Sequence, residues 1–163
     1  MSKPPWMTFA EQQLGTAEVP GPGNNPKILQ WAARLGSKLG IAYREDATPW
    51  CGVFVGMCIA AAGLQPPGIA VRAKSWALWG QELRTPCEGA VLVFERPGGG
   101  HVGFYAAERP DAYLVLGGNQ GDKVSKAWIA KSRCIAIRWA PGVPLGKRIV
   151  LAANGQPVST NEA

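Results

Sequence analysis

Apolar residues recur at helical spacing through the first part of the chain and at strand-like spacing from residue 89 onward. PWMTFAEQQLG (residues 5–15) predicts a short helix, with proline near its start and Gly15 as its stop. TAEVPGPGNNP reads as an irregular, turn-rich loop. Asn25-Pro26 opens a second helix, KILQWAARLG, whose Ile28, Leu29, Trp31, Ala32 and Leu35 form one apolar stripe. A third helix is predicted from around Pro49–Cys51 to Gly63. It is apolar on nearly every side, as a buried central helix is. AKSWALWGQEL predicts one or two further helical turns. GAVLVFE, HVGFYAAE, AYLVLGGN and CIAIRWA then read as four strands, with turns at RPGGG and RPDA. Helices first and strands afterwards predict an α+β fold with an antiparallel sheet. Residues 1–145 are expected to form a single domain. Residues 146–163 form a C-terminal extension with one more strand-like piece, KRIVLA, and a polar end expected to be partly loose.

The 163 residues suffice for one domain with a real core. With 47% hydrophobic and 17% charged residues the chain reads as globular rather than disordered, and 21 glycines with 14 prolines favour a turn-rich mixed fold over a helical bundle. A net charge of +6 favours anionic partners: nucleic acid, anionic lipid or the acidic bacterial envelope. The positive residues are scattered, with local clusters only at KSR (131–133) and GKR (146–148), so nucleic-acid binding has no support beyond net charge. No apolar run approaches the ~20 residues of a membrane span. Residues 1–15 lack the apolar core of a signal peptide, with Glu11 where it would lie. The expectation is a chain made soluble in the cytoplasm, delivered by another system if its target lies outside.

Cys51 stands at the first turn of the third predicted helix, where a helix N-terminus stabilises a thiolate. Cys51 and Cys58 would lie ~10.5 Å apart along that helix, beyond the ~7 Å that a disulfide tolerates, so they are not expected to pair. Cys58, Cys87 and Cys134 read as packing or incidental thiols. One histidine in the chain and no CxxC spacing give no expected metal site.

GGGHVG (98–103) formally matches the dinucleotide-binding GxGxxG, but it leads into a strand rather than a helix, so the match is read as accidental. It does place the chain's single histidine, His101, just after a glycine-rich turn. Alone, His101 is as readily an idle strand-end residue as a general base. If HVGFYAA and YLVLGGN form a hairpin centred on Pro110, His101 faces Asn119 with Cβ atoms about 4.5–5.5 Å apart. In that register Gly103 faces Gly117 on the same side, a bare patch that a helix end could approach. Val102, Phe104 and Ala106 face Gly118, Leu116 and Leu114 on the core side. Cysteine, histidine and asparagine together have a clear logic: the thiolate attacks a carbonyl, imidazole activates the thiol and protonates the leaving amine, and the amide orients the imidazole. Without that pairing Asn119 reads as a turn residue. Asp46 is a helix cap or a substrate-steering group, capping being the commoner role. Trp50 is a candidate for the cleft wall, and Glu18, in the irregular loop, a candidate substrate contact.

DATPWCGVFVGMCIAAAGL, GGGHVGFYAAE and VLGGNQGDKVS, in that order, resemble the cell-wall cysteine peptidases and amidases of the NlpC and CHAP type, over roughly residues 5–141. The resemblance implies a papain-like α+β fold and cofactor-free hydrolysis of an amide bond in peptidoglycan. It implies Cys51 as nucleophile, His101 as base and acid, and Asn119 as the orienting residue, with Gln120 its nearest rival. A third residue that is itself histidine is excluded by the composition. The expected function is that of a phage endolysin or virion-associated lysin, acting as a monomer on the wall after holin release, particle delivery or secretion. The alternatives are an amidase effector of a secretion system and a non-catalytic phage structural or binding protein of the same fold.

Overall fold

The computed structural model describes residues 3–20, 23–36, 49–152, 157–159 and 162. Three helices precede the sheet: α1 (Pro5–Gln12), α2 (Pro26–Leu35) and α3 (Cys51–Ala61). Asn25 caps α2, its Oδ1 accepting from the Lys27 N–H at 2.9 Å, while its Nδ2 donates to the Ala17 carbonyl. Helices α1 and α3 end two or three residues earlier than predicted, in turns that reach Gly15 and Gly63, both at positive φ. AKSWAL forms a 3-10 helix (Ala73–Leu78), after which Gln81–Glu82 leave the predicted helical run to make a short strand, β1.

The sheet contains β1, β2 (Val91–Arg96), β3 (Gly99–Arg109), β4 (Ala112–Gly117), β5 (Ser125–Ala130) and β6 (Cys134–Trp139), in the spatial order β1-β6-β2-β3-β4-β5. Every neighbouring pair is antiparallel. The fold is therefore α+β around an antiparallel sheet. Strand β5 is not predicted from the sequence. As an edge strand it buries only Trp128 and Ile129 and exposes Lys126, which leaves little apolar pattern to read.

Helix α3 has no charged side chain, and its backbone groups bond within the helix, so it tolerates burial on all sides; Cys51 to Ile59 are all buried. Glycines set how close its neighbours come. A Cβ on Gly52 would lie 2.1 Å from the Ala70 carbonyl oxygen, and one on Gly118, just past β4, would lie 2.7 Å from Phe54 Cβ and 2.8 Å from the Trp50 ring. Phe54 meets Phe104 of β3 edge-on at 6.2 Å, joining the helix to the centre of the sheet. Trp6 of α1 stacks edge-on against Trp139 at 5.0 Å and donates its indole N–H to the Gly89 carbonyl.

Strand β3 outruns β2, leaving its outer edge open beyond Tyr105, and residues 149–151 dock there. Glu108 N–H donates to the Ile149 carbonyl at 2.8 Å, and Leu151 N–H to the Glu108 carbonyl at 2.7 Å. KRIVLA thus makes a single parallel bridge to β3 rather than a ladder strand. The Glu108 side chain is buried and accepts from Tyr105 Oη, Lys131 and Arg148. Among the described residues no helix is long and apolar enough to cross a membrane.

Candidate active site

Cys51 is the first residue of α3, and Trp50, at the N-cap, contributes no side-chain acceptor. The first-turn N–H groups are therefore directed at the thiol and the space in front of it. Burial pushes the Cys51 thiol up. The hydrogen bond and charge of His101, with the N–H groups of Val102 and Gly52, outweigh burial and hold the thiol below its ordinary value. The other three free cysteines behave oppositely: burial raises Cys58 and Cys87 and takes Cys134 to about 11.

His101 lies on β3 three residues past the β2–β3 turn and pairs with Phe94 across the ladder, their rings 6.4 Å apart. Its Nε2 lies 2.9 Å from Gln120 Oε1. The Gln120 amide nitrogen is committed to two carbonyls, Val115 at 3.0 Å and Ser125 at 2.7 Å, so its oxygen must face the ring and accept from Nε2–H. Nδ1 is then the nitrogen left for the Cys51 thiol. Cysteine, imidazole and carboxamide form one relay, each member buried.

The amide that the structure places against the imidazole is thus that of Gln120, the rival of Asn119 in the sequence reading. The ladder keeps the expected register at Phe104↔Leu116, but a bulge between Tyr105 and Ala107 puts Leu114 opposite Ala107 instead of Ala106. At the other end the β3–β4 ladder stops at Phe104↔Leu116, short of the expected Gly103–Gly117 pair; β4 itself ends at Gly117, and Asn119 adopts φ +60°. That left-handed residue turns the chain, so the next side chain, Gln120, is the one that reaches His101. The glycine patch also works differently from the expected one. Helix α3 approaches Gly118, on the core side. A Cβ on Gly117 would lie 2.5 Å from Gln120 Oε1 and 3.3 Å from His101 Nε2, so its absence leaves room for the relay.

Trp50 is fully buried rather than in the cleft wall: its ring lies against Trp31 and Gly118, and its Nε1–H donates to Glu18 Oε1 at 2.8 Å. Glu18, half-buried, braces that indole, and its N–H donates to the Asp122 carbonyl. Asp46 lies outside the described residues. In front of Cys51 a cleft of about 310 Å³ is lined by Pro49, Val71, Ala73, Arg96, Pro97 and the glycines 98–100. Sequence reading singled out neither Arg96 nor Val71 and Ala73, because nothing in a one-dimensional pattern aims them at residue 51.

Such an arrangement can carry out nucleophilic acyl transfer: a lowered thiol, a base in contact with it, and an amide fixing the base. Among the described residues no three His, Cys, Asp or Glu side chains converge as metal ligands would. No protein-family model matches the chain, and no curated protein matches it.

Proposed function

We propose that the protein is a cysteine hydrolase that cleaves an amide bond of peptidoglycan, on a papain-like arrangement of α3 against the sheet. The observation that carries this reading is that, of the four thiols, only Cys51 is held below its ordinary value, in contact with an imidazole that Gln120 orients. The choice of peptidoglycan rests on the resemblance of the Cys51, His101 and Asn119–Gln120 blocks to cell-wall enzymes, and the net charge of +6 suits an anionic envelope.

In the mechanism, His101 Nδ1 takes the thiol proton and the Cys51 thiolate attacks the scissile carbonyl carbon. The Cys51 N–H at the start of α3 is placed to stabilise the oxyanion that develops. The imidazolium gives its proton to the departing amine as the C–N bond breaks, leaving an acyl thioester on Cys51. His101 then removes a proton from a water molecule that attacks the thioester, releasing a carboxylic acid and restoring the thiol. Throughout, Gln120 Oε1 keeps Nε2–H engaged, so that Nδ1 remains the reacting nitrogen.

The test is digestion of purified sacculi from several wall chemotypes by the wild-type protein and by Cys51→Ala, with mass spectrometry of soluble fragments. Fragments from the wild type alone support the reading, and their new termini name the bond. Fragments from both proteins, or from neither, overturn it.

A further inference from the structure

Next to the Cys51 cleft lies a second hollow of about 360 Å³, bounded by Arg96, Pro97, Arg133 and Glu162. Arg96 and Pro97 border both spaces, so the two are neighbours. Glu162 forms part of the wall of this hollow, and its side chain is 2% exposed. Arg133 Nη2 donates to its Oε1, Ser159 Oγ donates to its Oε2 at 2.8 Å, and Arg96 Nη1 donates to its backbone carbonyl. Its backbone also bridges antiparallel to Gln120, the residue that holds His101. Arg133 is aimed before any ligand arrives, because its Nε–H is fixed by the Glu95 carbonyl at 2.9 Å.

The carboxylate of Glu162 is therefore held by one guanidinium and its peptide carbonyl by another. A guanidinium fork suits a carboxylate better than an ammonium does, and one that is already oriented loses less freedom on binding. Residues 157–159 belong to no helix or strand, and among the described residues these contacts and one bridge hold Glu162 to the fold.

We infer that Arg96 and Arg133 form a subsite of the Cys51 cleft for an acidic residue of a peptide substrate, and that Glu162 occupies this subsite as an internal competitor. This rests on the hydrolase reading for the word substrate, but not for the binding itself. A docked Glu162 lowers the fraction of binding-competent protein and weakens the peptide's apparent affinity in proportion.

The experiment uses the full chain carrying Cys51→Ala, which binds without turnover. Calorimetry compares a stem tripeptide bearing free carboxylates with the same tripeptide amidated. Glu162→Gln is expected to tighten the free-carboxylate peptide by about three- to tenfold and to leave the amidated one unchanged. Arg133→Gln is expected to remove the preference between the two. If Glu162→Gln lowers the melting temperature enough to prevent measurement, Ser159→Ala, which removes one hydrogen bond to the Glu162 carboxylate, should shift affinity the same way by a smaller factor. Equal affinity for both peptides, or no tightening in the measurable variant, overturns the subsite. Cleaved sacculi without carboxylate preference would sink the subsite and leave the hydrolase standing. Carboxylate-selective binding without cleavage would do the reverse.

Discussion

Gln120 Oε1 sits 2.9 Å from His101 Nε2, while the nitrogen of the same amide is tied to the carbonyls of Val115 and Ser125. Gln120 is also bonded through its backbone, its N–H to the Lys123 carbonyl and its own carbonyl to Ser125 Oγ. Its amide is thereby fixed against rotation. The imidazole therefore inherits its orientation from a turn rather than from its own strand.

Removing that amide should cost activity without unfolding the protein. Gln120→Ala is expected to lower kcat on peptidoglycan by about 10- to 100-fold, the usual cost of losing an orienting partner. Asn119→Gly, which keeps the positive φ and removes only the side chain, should retain near wild-type turnover. Parallel assays of the two variants decide between the neighbouring amides: activity lost in Asn119→Gly and kept in Gln120→Ala would restore Asn119 as the orienting group.

Alkylation reads the state of the nucleophile directly. Because His101 and two backbone N–H groups outweigh burial, the thiolate should form at a lower pH than that of an ordinary thiol. The iodoacetamide rate at Cys51 should then rise through a midpoint below that of an ordinary, unperturbed thiol. In His101→Ala burial acts with less opposition, and the midpoint should move up. A midpoint unaffected by His101→Ala would contradict the contact.

Two adjacent glycines should separate chemistry from stability. Gly117→Ala drives a methyl against Gln120 Oε1 and His101 Nε2, so it should reduce kcat by at least about tenfold with a modest change in melting temperature. Gly118→Ala meets Phe54 Cβ and the Trp50 ring, which are fixed in the core. It should cost about 1–3 kcal/mol of stability, measured by denaturant unfolding.

Glu108 makes stability depend on acid. The Arg148 guanidinium, working against burial and helped by Lys131 and Tyr105, holds its carboxyl at about 2 instead of 4.5. A carboxylate depressed in the folded state stabilises the fold fully above its unfolded value and loses that contribution as pH falls through the folded one. Unfolding free energy should therefore decline by roughly 3 kcal/mol between pH 5 and pH 2 from this group, and Glu108→Gln should flatten that decline. An unchanged slope in the variant would show that the cluster carries no such weight.

Some of this was legible in the chain because it depends on local chemistry. The stripe Ile28, Leu29, Trp31, Ala32 and Leu35 defines α2 by spacing alone; all but Leu29, which is half-buried, form its buried face. The uncharged run after Cys51 requires a helix buried on all sides, and a cysteine at its first turn stands out wherever the helix is placed. Gly98 and the paired apolar runs around it specify a β2–β3 turn that leaves His101 near a strand start. These depend on periodicity and φ preferences, which neighbours in sequence determine. Other features were settled only by the assembled structure. Which amide reaches His101 turns on Asn119 taking φ +60° after the ladder stops, with Gly121 and Asp122 also left-handed beyond it. Asparagine permits that conformation without requiring it, so no pattern dictated it. The burial of Trp50 against Gly118 and Glu18, the bulge beside Ala107, and the meeting of Arg96 and Arg133 around Glu162 all join residues far apart in the chain. Such contacts exist only once the sheet has closed on α3, because packing, not propensity, chooses among conformations that are locally equivalent.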